Sequence, residues 1–191
     1  MPNLYIIAGC NGAAKTTASQ TILPDILNCK EFLNADAIAA GISPYNVESV
    51  AFQSGRIMLD RIQFLINEKE NFAFETTLST KSYVQLIKLA KAKGYTVTLL
   101  FFWLKNPELA VSRVENRVRH GGHFIPEDII KPRYFRGVSN LFNHFINLCE
   151  VWMIFDNSFT IPMLIAKGIE KDEIEVLNKD SYQLLKSYAE Q

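Results

Sequence analysis

The chain has 191 residues, with 20 Lys and Arg balancing 20 Asp and Glu, so no net field draws it to long nucleic acids or an anionic membrane. It is long enough to bury one sizeable α/β core. Its three cysteines, Cys10, Cys29 and Cys149, are too few, and odd in number, for a disulfide framework, and read as the reduced thiols of a cytoplasmic protein.

The first apolar run, Leu4-Tyr5-Ile6-Ile7-Ala8, is too short for a secretory leader and reads as a strand. It leads into Gly9-Cys10-Asn11-Gly12-Ala13-Ala14-Lys15-Thr16-Thr17 and then a helical stretch. Strand, glycine-rich loop, Lys-Thr and helix are the parts of a phosphate-binding P-loop. Loop N–H groups, from Gly9 through Asn11, Gly12, Ala13 and Ala14 to Thr17, would wrap an anion at a helix N-terminus. Lys15 would reach the outer phosphates of ATP, and the Thr16 hydroxyl would ligate Mg²⁺. The glycine usual before the lysine is Ala14 here. If that position needs a positive φ, alanine costs about 1–2 kcal/mol more than glycine.

Pro24 is expected to close the first helix. Phe32-Leu33-Asn34 reads as a second strand, with Asp36 after it capping one short helical turn that Gly41 stops. A carboxylate just past a strand's C-terminal end can also take a proton from an acceptor hydroxyl. A long amphipathic helix follows from Val47 to about Lys69, with Arg56 in its polar stripe as a candidate substrate ligand. Phe72-Ala73-Phe74 is a third strand, and Glu75 at its end is the candidate metal-side carboxylate, beside Mg²⁺ or Lys15.

A helix over Thr80 to Lys93 ends at Gly94, and Tyr95 to Leu104 is a continuously apolar strand of the kind covered on both faces. Its apolar core is too short to cross a bilayer. Asn106-Pro107 starts a helix that carries Arg113 and Arg117 and ends near Gly121-Gly122. A basic segment with a glycine hinge would suit a lid over polyphosphate, at about residues 113–136. Pro132 is expected to break or kink the next helix. Val151 to Phe155 is a further strand, then come a small terminal strand pair and a closing helix over Tyr182 to Tyr188.

With these residues in hand, the chain resembles the zeta-toxin-like P-loop kinases, which include bacterial enzymes that phosphorylate UDP-N-acetylglucosamine. The likeness runs from Leu4 to about Lys167. It rests on residues 9–17, Phe-Leu-Asn-Ala-Asp at 32–36, Phe-Glu-Thr-Thr-Leu-Ser at 74–79, Arg-His-Gly-Gly-His at 119–123, Arg133-Tyr134 and Asp156-Asn157-Ser158. The resemblance implies that Lys15 and Thr16 bind ATP and Mg²⁺, and that Asp36 is the general base. It implies that Glu75 and Thr77 position substrate or metal, with Arg117 as the lid residue, supported by Arg113 and Arg133. Zeta toxins carry an arginine where this chain has Ser79, and Lys81 is the candidate substitute.

The expected architecture is one three-layer α/β domain over residues 1–191, a P-loop NTPase fold of the nucleotide-kinase kind. Its mostly parallel sheet would have about five strands, flanked by helices and covered by a helical lid. The expected function is transfer of the γ-phosphoryl of ATP to a hydroxyl of a small acceptor, a UDP-N-acetyl sugar among the candidates. Two rivals stay open: a non-catalytic nucleotide-binding protein weakened through Ala14, and a kinase of another acceptor such as a nucleoside or antibiotic. The resemblance leaves a protein antitoxin open as a partner, but no antitoxin segment is visible in the chain, and nothing in it sets the oligomeric state.

Overall fold

A computed structural model describes residues 1–169 and 173–190. Seven strands form one sheet: β1 (Asn3–Gly9), β2 (Glu31–Leu33), β3 (Phe72–Thr76), β4 (Thr96–Trp103), β5 (Val151–Asp156), β6 (Met163–Ile169) and β7 (Glu173–Val176). The spatial order is β2-β3-β1-β4-β5-β6-β7. The first five run parallel, while β6 and β7 add antiparallel. The terminal strand pair expected from the sequence thus extends the same sheet, which has seven strands rather than about five.

Residues on both faces of β1 (Leu4, Ile6, Ile7 and Ala8) are fully buried, as are Phe72, Ala73 and Phe74 of β3. A strand with no exposed alternation has helices over both its faces. Those helices are α1 (Lys15–Thr21), α2 (Ala35–Ile42), α3 (Ala51–Glu68), α4 (Ser82–Ala92), α5 (Pro107–Arg119), α6 (Glu127–Asn140) and α7 (Lys179–Ala189). The apolar stripe of α3 buries Met58, Ile62, Leu65 and Ile66. Helix α5 opens as expected, with Asn106 accepting from the Leu109 amide at 2.8 Å and Pro107 in its first turn.

Three local expectations are corrected. Pro24 does not end the helical stretch; a wide turn, Ile22–Ile26, continues from α1 through it. Asp36 is not the cap of α2, because Asn34 fills that role, and Gly41 lies inside the helix. Pro132 does not break α6, which runs unbroken from Glu127 to Asn140. The residue whose carbonyl loses its helical donor to Pro132 is Asp128, and it is exposed to water.

The chain leaves β1 toward β2 on one side and later returns to build β4 on the other. The crevice at the C-terminal end of β1 is therefore the topological switch point, the place where parallel α/β sheets bind ligands. Glu75 of β3, Asn34 after β2 and Asn157 after β5 lie at that same edge.

Candidate active site

The loop between β1 and α1 is shaped by close approach. Gly9 has φ 142°, and a Cβ there would sit 2.1 Å from the Phe102 carbonyl oxygen of β4. Gly12 has φ 79°, and its Cβ would sit 2.8 Å from the Ala110 carbonyl oxygen of α5. The Ala13 amide donates to the Cys10 carbonyl at 3.2 Å, which closes the turn. Ala14 caps α1 in the left-handed region, at φ 56° and ψ 32°. The sequence posed this as a condition, and the backbone meets it: alanine stands where glycine is free of strain, at a cost of about 1–2 kcal/mol.

Among the described residues, the amides of Gly12, Ala14, Lys15, Thr16 and Thr17 donate to no protein acceptor. The first turn of a helix leaves such donors open. Outside the ring, Asn157 Nδ2 donates to the Ala13 carbonyl at 2.7 Å. Arg113 donates to the carbonyls of Asn157 and Ser158 at 2.8 and 3.0 Å. Helix α5 and the end of β5 thereby brace the loop from behind.

Lys15 is 6% exposed. Its ammonium donates to the Cys10 carbonyl at 3.0 Å and lies 3.5 Å from Glu75 Oε1. The Thr16 hydroxyl donates to Glu75 Oε2 at 2.7 Å. The same oxygen accepts from Asn34 Nδ2 at 2.8 Å. Asn34 Oδ1 in turn accepts from the amides of Asp36 and Ala37 at 2.8 and 3.2 Å. Asp36 is exposed in the first turn of α2, with its backbone one side chain removed from Glu75.

These groups suit a magnesium–nucleotide complex. Open amides and a buried ammonium match a polyphosphate, and a hydroxyl beside a carboxylate offers the hard oxygen ligands that Mg²⁺ takes. Asn11 Oδ1 is buried and, among the described residues, has no hydrogen-bond partner. The Cys10 thiol is pushed up to about 11 by burial, against the pull of Lys15, so it stays neutral and adds no charge to the loop.

The other candidates separate. Arg113 is committed to the β5 end rather than facing outward. Arg117 is exposed and donates to the His123 carbonyl at 3.0 Å, where it shapes the turn between α5 and α6. Arg133 is half-buried on α6. Arg56 is exposed on the outer side of α3, in a shallow recess with Phe52, Gln53, Ile57 and Asp60. Lys81 is exposed just before α4. The structure shows no polar contact between these last three and the Lys15–Thr16–Glu75 group. The Thr77 hydroxyl pairs with that of Ser79 at 2.8 Å. Between them, fully buried Leu78 holds φ 55°, and its carbonyl accepts from Asn140 of α6 at 2.7 Å.

The sequence reading gave no role to three buried asparagines: Asn34, Asn140 and Asn157. Their one signal is a polar side chain that the core does not expel, at a strand end or on an otherwise apolar helix face.

A mostly parallel sheet with a phosphate-type loop at its switch point, and Lys15, Thr16 and Glu75 gathered there, is the P-loop kinase fold. The chain belongs to the zeta toxin family, whose model, described as "Zeta toxin", matches residues 1–180. An uncharacterized protein of Haemophilus influenzae is 35% identical over 126 residues, which is 66% of this chain and 88% of that protein. A chain of the AvrRxo1-ORF1:AvrRxo1-ORF2 complex, crystallised with sulphate ions, superposes with TM-score 0.79 at 17% identity, over 98% of this chain. This chain spans 64% of the length of that one. The complex with ATP superposes with TM-score 0.76, at 17% identity and the same coverage of 98% and 64%. A chain of the PezAT toxin–antitoxin system of Streptococcus pneumoniae matches with TM-score 0.64 at 17% identity, over 100% of this chain and 86% of that one. At such identities the solved structures share the fold.

Proposed function

We propose that this protein is an ATP-dependent kinase of a small hydroxyl-bearing acceptor. The observation that carries the reading is the meeting of Lys15, Thr16 and Glu75 beside open loop amides at the C-terminal end of β1. The ATP complex of a protein of the same fold supports it. Bound Mg²⁺ and ATP supply the phosphoryl group and neutralise its charge.

The chain's own residues position and polarise. Lys15 and the amides of Gly12 and residues 14–17 grip the phosphates, while Thr16 and Glu75 would hold the metal. Asp36, exposed at the start of α2, accepts the proton of the acceptor hydroxyl as the new O–P bond forms and ADP leaves. Arg117, an exposed basic residue whose side chain bonds the His123 carbonyl beside the Gly121-Gly122 turn, is the lid group for the transferring charge. Arg113 acts from behind, through the loop. The acceptor side is the surface near Asp36, Thr77, Arg56, Lys81 and Arg133, and a UDP-N-acetyl sugar is the first acceptor to test. The PezAT match makes an antitoxin-type protein the partner to test. The three cysteines are free and buried, as suits the reducing cytoplasm.

The test is an ATP-consumption screen over UDP-sugars, nucleosides and small alcohols, beside calorimetry of ATP binding. Lys15→Ala should abolish turnover and weaken ATP binding. Asp36→Asn should bind ATP as the wild type does and lose transfer. Wild-type ATP affinity in Lys15→Ala would sink the nucleotide site, and full transfer by Asp36→Asn would sink the base.

One observation favours a second reading, a nucleotide binder with little turnover: the left-handed Ala14 in the anion loop. A wild type that binds ATP but consumes none with any acceptor, and gains turnover on Ala14→Gly, would support it.

A further inference from the structure

We infer that Asn34 is a positioning residue of this site, one whose side-chain amide ties the Glu75 carboxylate to the helix that carries Asp36. The inference rests on the kinase reading above and deepens it.

Asn34 is 8% exposed, between the end of β2 and the start of α2. Its Nδ2 donates to Glu75 Oε2 at 2.8 Å and lies 3.5 Å from Thr16 Oγ1. Its Oδ1 accepts from the Asp36 and Ala37 amides. Few side chains meet both demands. Aspartate and serine cap helices as well as asparagine does. Aspartate, however, has no donor for Glu75 and would set two carboxylates together, and serine is too short to span the gap. The residue type is therefore dictated by two sets of neighbours, the Glu75 carboxylate at the end of β3 and the first amides of α2.

The bond to Glu75 also decides how that carboxylate is shared. Oε2 is held by Asn34 and Thr16, on the metal side, while Oε1 faces the Lys15 ammonium at 3.5 Å. With the amide gone, Lys15 competes for the whole carboxylate. Glu75 then turns from the metal side, while Lys15 keeps its place against the Cys10 carbonyl. A cap alone would have no such effect.

The experiment compares wild type, Asn34→Ser, Glu75→Gln and the double variant by calorimetry of ATP binding, in EDTA and with excess Mg²⁺, with thermal melting of each. Asn34→Ser keeps a capping oxygen and should stay folded, melting below the wild type only by what the lost bond to Glu75 costs. Its ATP affinity in EDTA should stay within about twofold of wild type, while the tightening that Mg²⁺ brings should shrink by about tenfold. In the Glu75→Gln background the serine substitution should add little to the loss of the Mg²⁺ effect, because the carboxylate that Asn34 orients toward the metal is no longer there. An Asn34→Ser protein with the full Mg²⁺ effect, or an equal loss in both backgrounds, would overturn the assignment. If instead the wild type shows no Mg²⁺ effect, or Lys15→Ala binds ATP as tightly as the wild type, the kinase reading fails and this inference with it.

Discussion

The hydroxyl of Thr16 and the carboxylate of Glu75 stand 59 positions apart in the chain and meet at 2.7 Å. That contact joins the helix after β1 to the end of β3, with the buried Lys15 as third member. Glu75→Gln keeps the shape and removes the charge that Lys15 faces. It should lower stability by about 1.5–3 kcal/mol, the range for a hydrogen bond to a charged group. Chemical denaturation measures this. The Mg²⁺ requirement for ATP binding should rise in the same protein.

Ala14→Gly relieves a left-handed alanine. The gain of about 1–2 kcal/mol is partly offset by the greater freedom of glycine in the unfolded chain, about 0.5–1 kcal/mol. The net expectation is a small rise in the urea midpoint and tighter ATP binding. A drop in both would show that the methyl group makes contacts worth more than the strain.

Asn157 donates from a buried position to the carbonyl of Ala13 in the loop. Asn157→Ala leaves that acceptor unpaired, at a cost of about 1–3 kcal/mol. ATP affinity should fall along with stability, since the same bond fixes the turn that presents the amides. Unchanged ATP binding would mean that Arg113 and the Cys10–Ala13 turn suffice to hold the loop.

The cysteines set a high-pH limit. Burial pushes the Cys10 and Cys149 thiols from 9.0 up to about 11 and about 12. The folded protein therefore keeps these protons where the unfolded chain loses them. Stability should be level below about pH 9 and fall as pH rises from there toward about 11–12. Urea midpoints measured from about pH 8 to about pH 11 should show this slope, and Cys10→Ala and Cys149→Ala should each make it shallower.

The parts legible in the sequence are those that local chemistry dictates. The residues from Leu4 to Thr17 announce strand, loop and helix together, because glycine freedom, a Lys-Thr pair and an apolar run coincide there. Glu75 was legible as a carboxylate at the end of an apolar strand. The three asparagines were not, because their work is to bond atoms far along the chain: Asn157 meets Ala13 across 144 positions. The sheet was undercounted for a similar reason. Nothing local tells that Met163–Ile169 pairs with β5, since that depends on a register between two strands, including the fit of Gly168 opposite Trp152. Pro132 misled because a lost helical bond is harmless where the freed carbonyl belongs to an exposed residue.

Helix α6 lies so close to the segment after β3 that a Cβ at Gly137 would come within 2.5 Å of the Thr77 carbonyl oxygen. Three residues on, Asn140 grips the neighbouring Leu78 carbonyl. The C-terminal end of α6 is thus bolted to the segment after β3, which the proposed reading puts on the acceptor side. Under the kinase reading proposed above, any swing at Gly121-Gly122 would turn about an anchored footing, so the acceptor's wall and the roof above the phosphates would answer to one another.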